Sequence, residues 1–399
     1  MQTSVTENPA SSTTMLRGIT WDHPRAVDSI ERASEAFQTE HPELRLDWDA
    51  RPLHEFEEVP LQLLAADYDL LAIDHPFIGD AVASGALAPL SSLVPPTALD
   101  FSGARFVGHS LESYEWRGEY YALPVDAACM VGAARADALT ERDHPRRWAQ
   151  VVELLQELGP ERTLLTANPT HLWGTFLSLC EAHRPGRQPD FESGPAWWTA
   201  EGIAAEVGVP ALELLRELTA LTAPRSFQLD PVQVLDELSG DGAAVYCPSV
   251  FIYSTYAHDR PGRARVAFHD APSLDGEPVG TLTGGVGLGV SRASRAPEDA
   301  ARFVAFATSD AVQRGVYAGA GGQPATVSAW HDERVNAAAG GLYRATSNTM
   351  QRSFVRPRRR GYPAYQRAAA RTIHELVRAD TGAPDILRAL NRLWADVAS

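Results

Sequence analysis

Residues 68–93 read YDLLAIDHPFIGDAVASGALAPLSSL. The run Tyr68 to Ile73, closed at either end by Asp67 and Asp74, reads as a strand, and Asp80 to Gly85 reads as a short helix that stops at a glycine. Upstream lie a strand pattern at Leu16 to Trp21, a helix pattern from Val27 to Glu40, a strand at Leu44 to Asp49 and a helix around Phe56 to Ala66. Strand, helix, strand, helix, strand in succession predicts an α/β class protein whose parallel sheet is joined by crossover helices. Residues 1–15, polar and rich in Ser and Thr, read as a disordered lead-in.

Downstream the pattern changes. Two alternating aromatic runs flank Arg117-Gly118 in Tyr114 to Pro124, the signature of a hairpin. Longer helices follow, at Arg147 to Leu158, His171 to Glu181 and Ala211 to Leu221. A glycine-spaced strand, Gly284 to Ser291, and an amphipathic helix, Pro297 to Thr308, then return to the earlier style. Gly319 to Gly322 read as a flexible spacer before the helices Tyr362 to Arg378 and Ala383 to Ala398. A chain that starts one lobe, builds a second and revisits the first predicts two lobes. We place residues 16–124 and 271–315 in the N-terminal lobe, and 125–270 and 316–399 in the C-terminal lobe.

Length and composition agree: 399 residues suit two cores, at about 150 residues per domain. The formal charge of −16 argues against nucleic acid or an anionic membrane as the main partner. The chain has no lysine, which excludes Schiff-base chemistry and a Walker-A phosphate loop. Cys129, Cys180 and Cys247 are far apart and read as buried small hydrophobes rather than disulfide or zinc ligands. The first residues have no basic n-region, apolar core or lipid-attachment cysteine, and no window approaches the roughly 20 apolar residues that span a bilayer. On the sequence as given, the expectation is a cytoplasmic protein without membrane insertion.

These motifs, taken together, resemble family 1 extracellular solute-binding proteins, the maltose-binding-protein-like receptors of ABC importers. The likeness runs from about Leu16 to Val397. It rests on Trp21-Asp22 closing the first strand, Ala36-Phe37 in the first helix, the stretch Tyr68 to Leu93, the hairpin Tyr114 to Asp126, the return segment Gly280 to Ser309, and GGQPA at Gly321 to Ala325. The resemblance implies the type II periplasmic-binding-protein fold, two α/β lobes, each a mixed sheet flanked by helices, with a ligand cleft at the hinge. It also implies a small-molecule ligand, sugar first and organic acid second, and ABC-transporter permease subunits as partners. The family is usually exported, the alternative to the cytoplasmic expectation.

Ligands in such sheets meet loops at the carboxyl ends of strands. Two of those loops repeat one tripeptide, Asp22-His23-Pro24 and Asp74-His75-Pro76; a third copy is Asp143-His144-Pro145. Each also reads as a plain helix start, with Asp as cap and Pro in the first turn. As a site, Asp22, Asp74 and Asp126 would accept hydrogen bonds from ligand hydroxyls while His23 and His75 donate or accept. Flat rings that pack on the apolar faces of sugars would come from Trp21, Trp116, Tyr121, Trp173, Trp197, Trp198, Tyr246 and Tyr253, with Trp21 and Tyr121 foremost and Trp197-Trp198 a candidate lid or interlobe patch. Arg25, at a helix start, could hold a ligand carboxylate. Gly284 and Gly285 could bring backbone close to the ligand, and Arg356 to Arg360, RPRRR, read as a solvated turn.

No metal-ligand spacing, cofactor motif or GxSxG elbow is present. Two functions fit. The first is a binding protein that closes two lobes around a small polar ligand, most simply a carbohydrate, for ABC-type uptake. The second is a cytoplasmic enzyme on the same scaffold, doing acid–base or lyase chemistry with His23, His75 and their Asp22 and Asp74 neighbours on a hydroxylated or carboxylate substrate.

Overall fold

The computed structural model describes residues 13–94, 101–139, 144–184 and 195–398. Strand β1 (Thr14–Trp21) pairs in parallel with β2 (Leu44–Arg51) on one side and β3 (Leu70–Ile73) on the other. The crossover helix Pro24–Glu40 buries Ala26, Ile30, Ala33 and Phe37, a helical stripe of small and large apolar side chains, and Phe37 meets Phe303 edge-on at 5.4 Å. Two expectations change here. Thr14 and Met15 belong to β1 rather than to a lead-in, whose residues 1–12 lie outside the described residues. The helix expected at Phe56 to Ala66 is instead a short helix, Leu53–Glu58, and a separate 3₁₀ turn, Leu61–Leu63, because Pro60 between them has no N–H to continue the ladder.

The hairpin is present as β4 (Glu115–Trp116) and β5 (Glu119–Tyr120), with Arg117 and Gly118 both at positive φ, the geometry that matches strand twist. It leads into β6 (Ala122–Arg135), a 14-residue strand buried at every position but the last. Further strands are β7 (Trp198–Thr199), β8 (Gly202–Ile203), β9 (Tyr246–Phe251), β10 (Val266–His269) and β11 (Thr283–Val290). The main sheet is seven-stranded, ordered β10-β6-β11-β3-β1-β2, with β9 also on β6. The first half of β6 runs antiparallel to β11 and the second half antiparallel to β9 and β10. One strand therefore belongs to both halves of the sheet.

Two large cores flank that strand. One joins Leu16, Phe37, Phe303, Tyr317 and Trp330 with Val250 beyond β6. The other is built by the helices Pro169–Ala182, Ala205–Leu221, Tyr362–Arg378 and Ala383–Ala398 around Trp173, Leu215, Tyr365 and Trp394. Trp197 and Trp198 are buried in this second core, stacked at 5.8 Å, so they pack within one core and are not a lid. Gly319 to Gly322 are not a loose spacer, since the Gly321 and Gly322 amides donate to the Ala318 and Tyr317 carbonyls, both at 3.0 Å. All three cysteines are buried and free. His144 of the third tripeptide stacks on His269 at 4.4 Å, while Asp143 lies outside the described residues. Among the described residues no helix is long and apolar enough to cross a membrane.

Where β11 meets β6 the register shifts between Val286 and Gly287. Beside this shift Gly285 has φ +110°, and a Cβ there would stand 2.3 Å from the Asp126 carbonyl oxygen. Gly285→Val should therefore destabilise the fold by about 3 kcal/mol or more, from left-handed strain plus overpacking. Urea unfolding checks it; an unchanged midpoint would contradict this account of the junction.

Candidate functional site

A pocket of about 80 Å³ opens where the ends of β1 and β3, the middle of β6, the start of β11 and the start of the helix Pro169–Ala182 converge. Gly284 and Gly285 form part of its wall beside Ala128. A Cβ at Gly284 would lie 2.6 Å from the Phe251 ring, so glycine lets that ring reach the wall as well. Trp21, Phe56, Trp173, Phe251 and Tyr253 supply aromatic surface, and Thr170, His171 and Gln366 supply neutral polar groups.

On one flank Arg25 enters from the second position of the helix Pro24–Glu40 and is 3% exposed. Its Nε donates to Asp126 Oδ2 at 2.7 Å, Nη2 donates to Asp126 Oδ1, and Nη1 donates to the Ile252 carbonyl at 2.8 Å. The guanidinium also lies 4.5 Å from the centre of the Tyr253 ring. Burial alone would lower the Arg25 pKa, but Asp126 more than offsets it and raises it. All three nitrogens of the fork thus have partners inside the protein, and Asp126 matches the charge that a ligand carboxylate would need.

On the other flank Asp74, at the end of β3, makes no cap hydrogen bond to the 3₁₀ turn His75–Phe77 that it precedes. Its two carboxylate oxygens both accept from Arg356 Nη2, at 2.9 Å each. Arg356 Nη1 donates to Gln366 Oε1 at 3.0 Å and Nε to His75 Nε2 at 3.4 Å. A guanidinium only donates, so Nε2 of His75 accepts and the ring proton sits on Nδ1, 3.3 Å from Asp74 Oδ1. Burial would raise the Asp74 pKa, yet Arg356 and His75 outweigh it and hold the carboxyl at about 2. Burial, then Arg356, lowers His75 to about 4.

The two Asp-His-Pro corners lie at the ends of neighbouring parallel strands, as expected, but their residues separate in role. Trp21, Arg25, Asp74, Trp173, Gly284 and Gly285 line the pocket, and Asp126 stands behind Arg25. Asp22 is exposed and outside the wall, its amide donating to the Arg51 carbonyl at 2.7 Å. His23, not Asp22, caps the helix: its Nδ1 accepts from the Arg25 amide at 3.1 Å, and burial lowers its pKa to about 4. His75 is wholly buried beneath Asp74, so neither histidine stands in the wall where a proton transfer to ligand would need it. Tyr121 packs in a small core with Ile73 and Leu87, and Tyr246 is core, stacked on His269 at 6.0 Å. The solvated turn expected at Arg356 to Arg360 is also corrected. Arg356 and Arg358 are buried, Arg358 donating to the Glu112 and Glu115 carbonyls. Sequence reasoning missed Arg356, His171, Phe251 and Gln366. Only the apolar flank of Arg356, Phe354-Val355, hinted at burial.

The charges of this wall cancel, Arg25 against Asp126 and Arg356 against Asp74. Among the described residues no group of three or more His, Cys, Asp or Glu is placed to hold a metal ion. Such a wall can offer ring faces and single hydrogen bonds, but no net charge.

A family model described as "Bacterial extracellular solute-binding protein" matches residues 61–340. That description gives the cytoplasmic expectation no support. Solved structures share the fold over nearly the whole chain. Maltose-bound MalE3 of T. maritima has a TM-score of 0.78 at 18% identity, over 96% of this chain and 100% of that one. An ABC transporter solute-binding protein of Thermotoga lettingae TMO, bound with α-D-tagatose, has 0.78 at 13% identity, over 97% and 100%. The GacH receptor of Streptomyces glaucescens GLA.O, solved unliganded and with acarbose, has 0.74 at 16% identity, over 96% and 97%.

Burial lowers His171, whose Nδ1 lies 2.8 Å from Asn168 Oδ1, to about 3, as it lowers His269. With His75, these rings are neutral in the fold down to pH values at which the unfolded chain has already taken up protons. Stability is therefore full above about pH 6.5 and falls as the pH drops toward 4, by up to about 1.4 kcal/mol per pH unit for each histidine. Urea midpoints at pH 7, 6 and 5 should decline, and less steeply in His171→Gln. A flat profile would show that these rings are not held neutral.

Proposed function

The chain belongs to the bacterial extracellular solute-binding protein family, and from that premise we propose that it binds a neutral carbohydrate or polyol for an ABC-type uptake system, closing two lobes around it. The segment that carries Tyr317 and Trp330 packs with Leu16 and Phe37, so it goes with the N-terminal lobe and not, as expected from the sequence, with the C-terminal one. The observation that carries this reading is the charge-matched, aromatic wall. A carboxylate ligand would need an open cation, and Arg25 and Arg356 are both engaged. Sugar hydroxyls donate and accept at once. Asp74 keeps lone pairs beyond those used by Arg356, and Gln366, accepting through Oε1, has its amide N–H groups to donate. Trp21 and Trp173 offer flat faces to the C–H side of a pyranose. The proteins of similar fold described above, with maltose, tagatose or acarbose, are consistent with this class of ligand.

The placement of the wall residues supports closure. Trp21, Arg25, Phe56 and Asp74 come from one set of segments, Thr170, Trp173 and Phe251 from another, with β6 and β11 running between them. A ligand that touches both sets only in the closed arrangement shifts the population toward it; equal contact in both arrangements shifts nothing. Permease subunits are the partners this role requires.

A thermal-shift screen of neutral sugars, polyols and small organic acids tests the proposal, since a binder raises stability by RT ln(1 + [L]/Kd). Sugars or polyols should raise Tm and be recovered unchanged. In Asp74→Asn their affinity should fall by about 30–1,000-fold, equivalent to about 2–4 kcal/mol, measured calorimetrically. A response confined to carboxylates, or steady conversion of the ligand, would overturn it.

A further inference from the structure

A second cavity, of about 250 Å³, is walled by Leu61, Phe77, Asp80 and Ser84 on one side and by Arg360 and Arg367 on the other. None of these residues lines the first pocket. Arg360 is exposed and Arg367 half-buried, and among the described residues neither guanidinium has an ion-pair partner. The carboxylate in the wall, Asp80, is partly engaged, its Oδ1 accepting from the Gly361 amide at 2.8 Å.

The sequence makes these two arginines more telling. Residues 334–374 contain nine arginines and no Asp or Glu, in a chain whose net charge is −16. Folding accounts for several of them. Arg334 pairs with Asp332, Arg344 with Glu333 and Arg356 with Asp74, and Arg358 donates to two carbonyls. Arg360 and Arg367 have no such task and share one concavity. Planar forks of N–H donors that no carboxylate pairs match an oxyanion with several acceptor oxygens.

We infer that this cavity is an effector site for a small phosphate-type oxyanion, held by Arg360 and Arg367. It is coupled to the solute pocket by construction. Arg356 stands in the first wall and Arg360 in the second, and the segment between them is clamped on the short helix Ile78–Ala83 that carries Asp80: a Cβ on Gly79 would lie 2.0 Å from the Arg358 carbonyl oxygen. An anion held by Arg360 and Arg367 sits on the segment that carries Arg356 into the first wall, and any effect of the anion on solute affinity is matched by an equal effect of solute on anion affinity.

Inorganic phosphate is the probe, titrated calorimetrically and by thermal shift at constant ionic strength set with chloride. The wild-type chain should show saturable binding. Arg360→Gln with Arg367→Gln should weaken it at least tenfold while leaving Tm without phosphate unchanged, since both side chains reach solvent. Asp80→Asn, which keeps an acceptor for the Gly361 amide and removes a negative neighbour, should tighten phosphate severalfold, whereas Asp47→Asn on the exposed face of β2 should not. Equal effects of phosphate and chloride, unweakened binding in the double variant, or equal tightening in both Asp variants would overturn the inference.

Discussion

Two guanidinium groups are buried against two carboxylates on either flank of one pocket, and neither pair can be left half-made. Removing one partner from a buried pair strands a charge at a cost of about 3–5 kcal/mol. The fold is therefore committed to bringing Arg25 to Asp126, 101 residues away, and Asp74 to Arg356, 282 residues away. Those two meetings place the start of the helix Pro24–Glu40 on β6 and the segment after Phe354 on the end of β3. The aromatic wall lies between them.

Pairing also sets the chemistry of the pocket. A lone buried arginine would select anions and a lone aspartate would select cations. Matched pairs leave hydrogen-bond capacity with no net charge, on oriented groups whose own partners hold them in place. For the neutral solutes proposed above, discrimination would then rest on whether each hydroxyl finds a partner, because an unpaired buried polar group costs about 1–3 kcal/mol. The histidines serve this arrangement without touching its contents: His23 caps a helix, and His75 accepts from Arg356 beneath Asp74.

Strand β6 gives the pocket its two-sidedness. Since β11 holds its first half while β9 and β10 hold its second, side chains before and after it face one another across a shared backbone. The positive-φ glycine at position 285 sits at the crossing, where β11 and β6 approach too closely for a side chain.

The alternation of strands and helices was legible along the chain, as were the hairpin at Arg117-Gly118, the return strand and the last two helices, because periodicity and turn residues act over a few positions. So was the surplus of acid over base. Asp74 and Trp21 could be placed on the pocket because strand ends in such sheets face it. The partners of Asp74 could not. Arg356, Gln366 and His171 have no local signature, and RPRRR looks solvated to any rule that weighs only neighbours in sequence. The burial of Arg356, the exposure of Asp22 and the choice of His23 as helix cap were decided by tertiary structure alone. Whether a charge is solvated or paired depends on contacts between segments hundreds of residues apart, and local residue patterns do not encode those contacts.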